Sequence, residues 1–512
     1  MQPLQTVALL TSLTLALPGQ AIHASHLSTL DRTPQPFVRP APDTNGDGVA
    51  DFLSYVRVSP SPGVASYEVV LASGATAAPL HTFTANDFDT VRDCVGFGDV
   101  DLDGRGDVAV VTYSRLYVYS GATGTLRYSL PAGGNFAYVG VTALGDWNAD
   151  GRADLAVALY NGNGQIVVRL LQGQSGNLLA TSATMPSNQA DADVRTIGDI
   201  DNDGRQDVVV TTRNNDTHVL QTNPLLVVRS VGLGTGDQRH LRVADLDGDG
   251  VAELLLHRSG EAGNGTDGRI EVVDPRTGVG RLTLRAEQPF ETALHQDAAP
   301  IGDLDQDRMV DLAVVVNTAN GHRLKAVSGR TGARLWSFGE SPYTRIAGGL
   351  CALGDVDADG YGDFAVVATV QLGRDGWWVT SGRVRADVTM QSGACGGGPI
   401  LPRTLMSRPI LGQPVTVLGF DGPANTNGLL LFSLRPSAPT YLGASSCFAW
   451  FAFGNAAVLQ VLTGPQWSAT LNLPLVPQLA GLEVAVQSYH APTAGPLGYD
   501  LSNGIWARLG YH

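Results

Sequence analysis

Seven short segments of this 512-residue chain gather carboxylates at a spacing that suits a hard cation. Each reads acid, any residue, acid or Asn, any residue, acid, Gly, two residues, acid, with Arg308 replacing the glycine once. The candidate metal ligands are Asp43, Asn45, Asp47 and Asp51; Asp99, Asp101, Asp103 and Asp107; Asp146, Asn148, Asp150 and Asp154; Asp199, Asp201, Asp203 and Asp207; Asp245, Asp247, Asp249 and Glu253; Asp303, Asp305, Asp307 and Asp311; and Asp355, Asp357, Asp359 and Asp363. Calcium takes six to eight oxygens at about 2.3–2.6 Å. Acids at positions 1, 3 and 5 of a tight loop can converge on one point, position 7 can add its carbonyl, and the acid at position 9 can close the sphere. Glycine at position 6 permits the positive φ that such a turn demands. The expected cofactor is therefore Ca2+, at about one site per loop. The loop at Asp303 is expected to be the weakest, because Arg308 brings a β-carbon and a positive charge. Solvated acidic turns without metal are the alternative, but four unneutralised carboxylates in one turn repel strongly.

Of the 48 acids in the chain, 26 lie at these positions, and one divalent ion per loop would bring the net charge of −15 close to zero. The acidity is thus local. A polyanion needs a basic patch, and none is present, so nucleic acid is not an expected partner.

Other chemistry finds little footing. The ten histidines stand singly, with no HExxH, and there is no Gly-x-Ser-x-Gly elbow or P-loop. Gly232-x-Gly234-x-Gly236 lacks the βαβ setting of a dinucleotide site. Asp87, Asp89, Glu261, Glu287 and Glu291 are acids without a metal explanation. Trp377-Trp378 could form a sugar platform, but packing between sheets explains the pair more simply. Arg105-Gly106-Asp107 spells an integrin-recognition tripeptide, yet Asp107 also fills position 9 of a loop, so coincidence is the better reading.

The loops begin 56, 47, 53, 46, 58 and 52 residues apart, about the length of a four-stranded propeller blade. Apolar strand ends such as Val95-Gly96-Phe97-Gly98 precede them, and runs such as Val208-Val209-Val210 follow. Ser-Gly turns at Ser120-Gly121, Ser175-Gly176 and Ser328-Gly329 then join two further strands. The predicted fold is all-β: a seven-bladed β-propeller followed by a small β-sandwich. The expected division is a leader over 1–24, the propeller over 25–390, a Gly- and Pro-rich linker over 391–414 and the sandwich over 415–512. Val7 to Pro18 is apolar, too short to span a bilayer, and followed by small residues at Ala21 and Ala24, as in a secretory signal peptide. A buried N-terminal strand is the alternative. No later segment reads as transmembrane. Cys395 and Cys447 could pair after export, whereas Cys94 and Cys351 occupy similar repeat positions and read equally well as buried thiols.

At these loops the chain resembles the FG-GAP/VCBS repeat family, the propeller repeats also found in integrin α subunits. The resemblance spans about residues 36 to 390 and is carried best by Phe97-Gly98 and the loop from Asp99 to Asp107. It implies a seven-bladed propeller with calcium in loops joining the first and second strands of blades. The family's Gly-Ala-Pro element is missing; Ala158-Leu159-Tyr160 or Val366-Val367-Ala368 follow instead. The C-terminal stretch from Leu479 to Gln487, with Leu501-Ser-Asn-Gly504, is similar to a β-module that closes many secreted bacterial proteins. The expected protein is secreted or attached to the cell surface, with the periplasm as the other compartment that export reaches. Its expected role is non-catalytic binding or adhesion to an extracellular polysaccharide or protein. A polysaccharide lyase or hydrolase on the same scaffold, or a purely structural surface component, are the alternatives.

Overall fold

The β-branched and apolar run after each acidic segment forms the second strand of an antiparallel sheet. A computed structural model describes residues 20–27, 32–61, 64–88, 91–187, 190–212, 216–232, 241–258, 269–285, 291–305, 307–318, 321–338, 344–356, 358, 361–370, 374–384, 387–390, 401–407, 409–420, 422–423, 427–434, 440–442, 448–450, 456–474, 479, 482–491 and 499–510. Among these residues there is no α-helix.

Sheet one runs Arg32–Ala41, Asp51–Ser61, Val64–Ala72, Pro79–Phe83, and sheet two Val91–Phe97, Asp107–Thr112, Arg115–Tyr119, Leu126–Pro131. Sheet three runs Ala137–Gly145, Asp154–Tyr160, Gln165–Leu171, Leu178–Thr181, with Met185–Pro186 added beside Gln165–Leu171. Sheet four is Ala192–Gly198, Asp207–Thr212, Asp216–Thr222, Leu225–Gly232, and sheet five Leu241–Ala244, Glu253–Arg258, Arg269–Val273, Gly280–Arg285. Sheet six is Glu291–Pro300, Leu312–Thr318, Gly321–Val327, Arg334–Phe338. Sheet seven takes Thr344–Gly354, Asp363–Val370 and Arg374–Val384, and its fourth strand is Gln20–Leu27 from the other end of the chain.

The first strand of each sheet touches the first strand of the next, and Thr344–Gly354 returns to Arg32–Ala41. The series therefore closes on itself as a β-propeller. Second strands are buried on both faces, which is why they read as continuous apolar runs. Val108 and Val110 pack towards Leu53 and Leu71 of sheet one, while Ala109 and Val111 face Leu155 and Val157 of sheet three. Trp377 is buried edge-on to Phe52, with ring centroids 6.4 Å apart, so it serves packing between sheets seven and one.

Residues 1–19 of the expected leader lie outside the described residues. Residues 20–24 belong to the strand that completes sheet seven, with Ala24 opposite Val379. The C-terminal part holds a six-stranded and a three-stranded sheet that share one core through Val417, Ala469, Leu430, Val484 and Ile505. Its strands begin earlier than the expected sandwich at residue 415. Asp387–Met390 pairs with Ile505–Arg508, and Arg403–Met406, inside the expected linker, pairs with Pro414–Phe420. Composition read this stretch as a linker because its prolines and glycines flank the strands. Cys94 and Cys351 are buried, unbridged thiols, and Cys395 and Cys447 lie outside the described residues.

Candidate metal centres

The first six acidic loops are each held by their own first and last carboxylates. At position 1, Asp99 Oδ2 accepts the Gly104 N–H at 2.7 Å, and Asp146, Asp199 and Asp245 accept from Gly151, Gly204 and Gly250 in the same way. Position 5 accepts the N–H of position 7, as in Asp103 with Arg105 and Asp203 with Arg205. Glycines at position 6 take φ near 85°, as their residue type requires: 86° at Gly48, 84° at Gly104, 85° at Gly151 and 87° at Gly204. Position 4 is also left-handed, though it carries Leu102, Ala149, Asn202 and Ala358. The sequence pattern gave no sign of that second turn, because these side chains share no chemistry.

The position-9 acid has a second task. Asp51, Asp107, Asp154, Asp207, Glu253, Asp311 and Asp363 are all buried. One oxygen accepts the N–H of position 2: Val100 to Asp107 at 2.9 Å, Ile200 to Asp207 at 2.9 Å, Leu304 to Asp311 at 2.6 Å. The other accepts an N–H from the turn between the third and fourth strands, from Gly74 to Asp51, Gly121 to Asp107, Gly173 to Asp154 and Gly329 to Asp311. A β-carbon at Gly121 would lie 1.9 Å from the Gly106 carbonyl oxygen, so the turn needs glycine to come close enough to donate. Position 9 thus staples the acidic loop to the far side of its own sheet.

Among the described residues, oxygen donors converge in four loops. Asp99, Asp101 and Asp107 bring carboxylate oxygens within 4.8 Å of one another, as do Asp199, Asp201 and Asp203; Asp245, Asp247 and Glu253; and Asp303, Asp305 and Asp311. In the first and third loops Asn45 and Asn148 take position 3 and donate to Asp47 and Asp150, so these loops gather fewer carboxylates. Asp355 and Asp363 are described in the seventh loop, where Val356 donates to Asp363, but Asp357 and Asp359 lie outside the described residues. The donor set fits a hard divalent ion: it is all oxygen, and Asp101 Oδ1 is buried with no hydrogen-bond partner.

A profile of FG-GAP-like repeats matches residues 99–157, 146–210 and 199–256. The chain carries FG-GAP-like repeats. Among solved structures, BBS1N in complex with ARL6DN, soaked with lead, is similar at 13% identity and TM-score 0.43, covering 70% of this chain and 94% of that one. The same complex soaked with mercury gives 13% identity and TM-score 0.43, covering 71% and 94%. No curated protein matches.

The acidic loops are stitched to one another around the ring. Gly106, Ala252, Val310 and Gly362, each at position 8, donate N–H to Asp43, Ile197, Leu246 and Ile301 of the preceding loop region. Position 7 adds side chains: Arg105 lies 3.9 Å from Asp43, Arg152 donates to the Val100 carbonyl, and Arg205 stacks over Trp147 at 4.5 Å. The signal was the recurrent Gly-Arg-x-Asp at 104–107, 151–154 and 204–207, which the ligand count passed over.

Arg308 does not open the sixth acidic loop. It adopts φ 72°, its N–H reaches Asp303 Oδ2 at 2.8 Å, and Asp303, Asp305 and Asp311 still converge. Its cost sits in the backbone, since a left-handed non-glycine residue is strained by about 1–2 kcal/mol. Arg308→Gly is therefore expected to stabilise the protein by about 0.5–1 kcal/mol in denaturant unfolding, part of the gain being lost to unfolded-chain entropy. A loss of stability would contradict this.

Burial pushes the carboxyls of Asp107 and Asp207 up to about 6 and that of Asp311 up to about 7, and neighbouring loop acids add to the rise. Asp51, Asp154, Glu253 and Asp305 are raised for the same reason. A carboxyl raised on folding takes a proton more readily in the folded state, so it favours folding at low pH, and that contribution is lost as pH rises through the folded value. Carboxyls held low, such as Asp43, Asp99 and Asp199, act below about pH 4, outside this window. His218 and His490, held low by burial, pull the other way but are fewer. In chelator the melting temperature should be higher at pH 5 than at pH 7; the reverse order would contradict the assignment.

The other acids picked out by sequence have structural or undescribed settings. Asp87 accepts Thr112 Oγ1 and Tyr117 OH, each at 2.7 Å, together with Ser114 Oγ. Burial raises its carboxyl, but these hydroxyls hold it below the usual range. Asp89, Glu261 and Glu287 lie outside the described residues, as does the Gly234–Gly236 segment, and Glu291 is placed only as the start of a strand. His257 is buried, while His240 lies outside the described residues. Asp107 is fully buried with both oxygens engaged, so Arg105-Gly106-Asp107 is not displayed as a recognition tripeptide.

The first strands also carry a buried ion network that sequence spacing did not suggest. Asp93 accepts Arg39 Nε at 3.0 Å and Arg195 Nη1 at 2.9 Å, joining sheets one, two and four. Arg195 Nη2 lies 2.5 Å from Asp193 Oδ1. Burial raises the Asp93 carboxyl, but Arg195 and Arg39 outweigh it and hold it below the usual carboxylate range.

Proposed function

We propose that the protein is a secreted, calcium-binding, seven-bladed propeller that acts as a non-catalytic binding or adhesion module for an extracellular polysaccharide or protein. The observation that carries this reading is the common plan of the FG-GAP loops. Their first and last acids shape the loop, and in four of the described loops the first acid converges with two others in an all-oxygen cluster. Asp99, Asp101, Asp103 and Asp107 would hold an ion in the second loop, and the corresponding residues in the loops where no arginine already bridges two of the acids. A bound Ca2+ supplies the positive charge that such clusters lack. The neighbour-to-neighbour hydrogen bonds then pass that local rigidity around the ring. On this reading the calcium end serves stability, and the connections at the opposite end of the sheets, such as residues 84–88 and 112–115, are free to vary with the ligand.

Immobilised polysaccharides and extracellular matrix proteins, probed in calcium buffer, test this. Retention without product supports the binding role. Turnover of any polysaccharide makes the protein an enzyme and overturns it.

A further inference from the structure

We infer that the fifth acidic loop is neutralised from within, by Arg281, where the other converging loops are built for a divalent ion. This rests on the metal reading of those loops. In the fifth, one guanidinium nitrogen of Arg281 contacts two prospective ligands: Asp247 Oδ2 at 2.8 Å, and Glu253 Oε1. Arg276 contacts the next acid, Asp249. In the second and sixth loops, by comparison, Arg127 touches the carboxylate of Asp101 and Arg330 that of Asp307, each a single acid.

Two sequence changes explain the difference. The turn that offers an N–H from Gly74, Gly121, Gly173 or Gly329 to position 9 elsewhere carries Pro275 at the same place. The equivalence follows from the turn hydrogen bonds, since Asp274 bonds Val279 and Gly278 as Ser120 bonds Thr125 and Gly124. Proline has no N–H to give. Position 9 is also glutamate instead of aspartate. Its Oε2 still accepts the Leu246 N–H at 2.9 Å, and the extra methylene carries Oε1 outward to Arg281. Lost donor, longer acid and new cation form one compensated set. A buried carboxylate that lost its backbone donor would be costly to leave unpaired, and Arg281 supplies both the hydrogen bond and the charge. An ion in this loop would have to displace Arg281 from both carboxylates.

The test counts bound calcium by elemental analysis on the full chain and reads melting temperature in chelator. Asp101→Ala is expected to lose one calcium equivalent, Asp247→Ala to lose none, and Arg281→Ala to gain one. In chelator, Arg281→Ala should melt lower than the unsubstituted protein, and adding Glu253→Gln should restore part of the loss. If Asp247→Ala loses an equivalent as Asp101→Ala does, the inference falls while the metal reading stands. If no variant binds calcium, the metal reading falls, and the chelator arm decides the inference alone: an unchanged melting temperature for Arg281→Ala sinks it.

Discussion

Removing divalent ions with a chelator is expected to lower the melting temperature of the propeller by roughly 10 °C at neutral pH. Extracellular calcium modules bind with dissociation constants of about 10⁻⁴–10⁻³ M. At millimolar calcium and a Kd near 10⁻⁴ M, each site contributes about 1.4 kcal/mol. Half a dozen such sites sum to roughly 8 kcal/mol, comparable with the net stability of a whole domain. The structure gives a reason for the effect to be global. Gly106, Ala252, Val310 and Gly362 bond one loop region to the next, so loosening one loop weakens its neighbour's attachment. Magnesium is a useful control, because its smaller, stricter octahedral shell suits these loops less well. A calorimetric scan in which chelator leaves the transition unmoved would remove the structural role of the metal.

Asp93→Asn is expected to destabilise the ring by about 3–5 kcal/mol, the cost of breaking a buried ion pair from one side. Asp93 is buried to 3% exposure and stands between Arg39 and Arg195, so its neutralisation takes a carboxylate from two largely buried guanidinium groups and leaves Asp193 to face them. The effect belongs to the arginines left behind. Replacing the set together, as Arg39→Met, Asp93→Leu, Asp193→Leu and Arg195→Met, is expected to recover most of the loss, because a matched apolar group needs no compensating charge. Urea unfolding of the single and quadruple variants distinguishes the cases. A single variant within about 0.5 kcal/mol of the unsubstituted protein would show that solvent reaches the network. Asp93 lies within Val91–Phe97, six residues before the acidic loop that begins at Asp99, so the Asp93 effect should persist in chelator.

The repeating part of the fold was open to reading from sequence because one local rule recurs. Acids at fixed offsets, a glycine at position 6 and an apolar run beyond position 9 each have a short-range cause, and Asp107–Thr112 or Asp207–Thr212 follow directly from it. Contacts between distant residues left no such trace. Asp93 meets Arg39 across 54 positions and Arg195 across 102, and nothing in the spacing of three charged residues announces that they share one buried point. The closure of sheet seven by Gln20–Leu27 is hidden for the same reason: its partner strand, Arg374–Val384, lies at the other end of the ring. At the sites, sequence gave ligand types but not their double duty. That Asp107 and Asp311 hold two backbone N–H groups, and that Pro275 withdraws one of these from Glu253, becomes legible only once turn and loop are seen side by side.

The most direct test of the account is the number of calcium ions held by the purified full-length chain after equilibration in millimolar calcium and removal of free ion. Carboxylate clusters recurring from sheet to sheet predict several equivalents per chain, approaching one for each acidic loop other than the fifth. A value of one equivalent or less would mean that these loops are held by their own hydrogen bonds and arginines, and the account would be wrong.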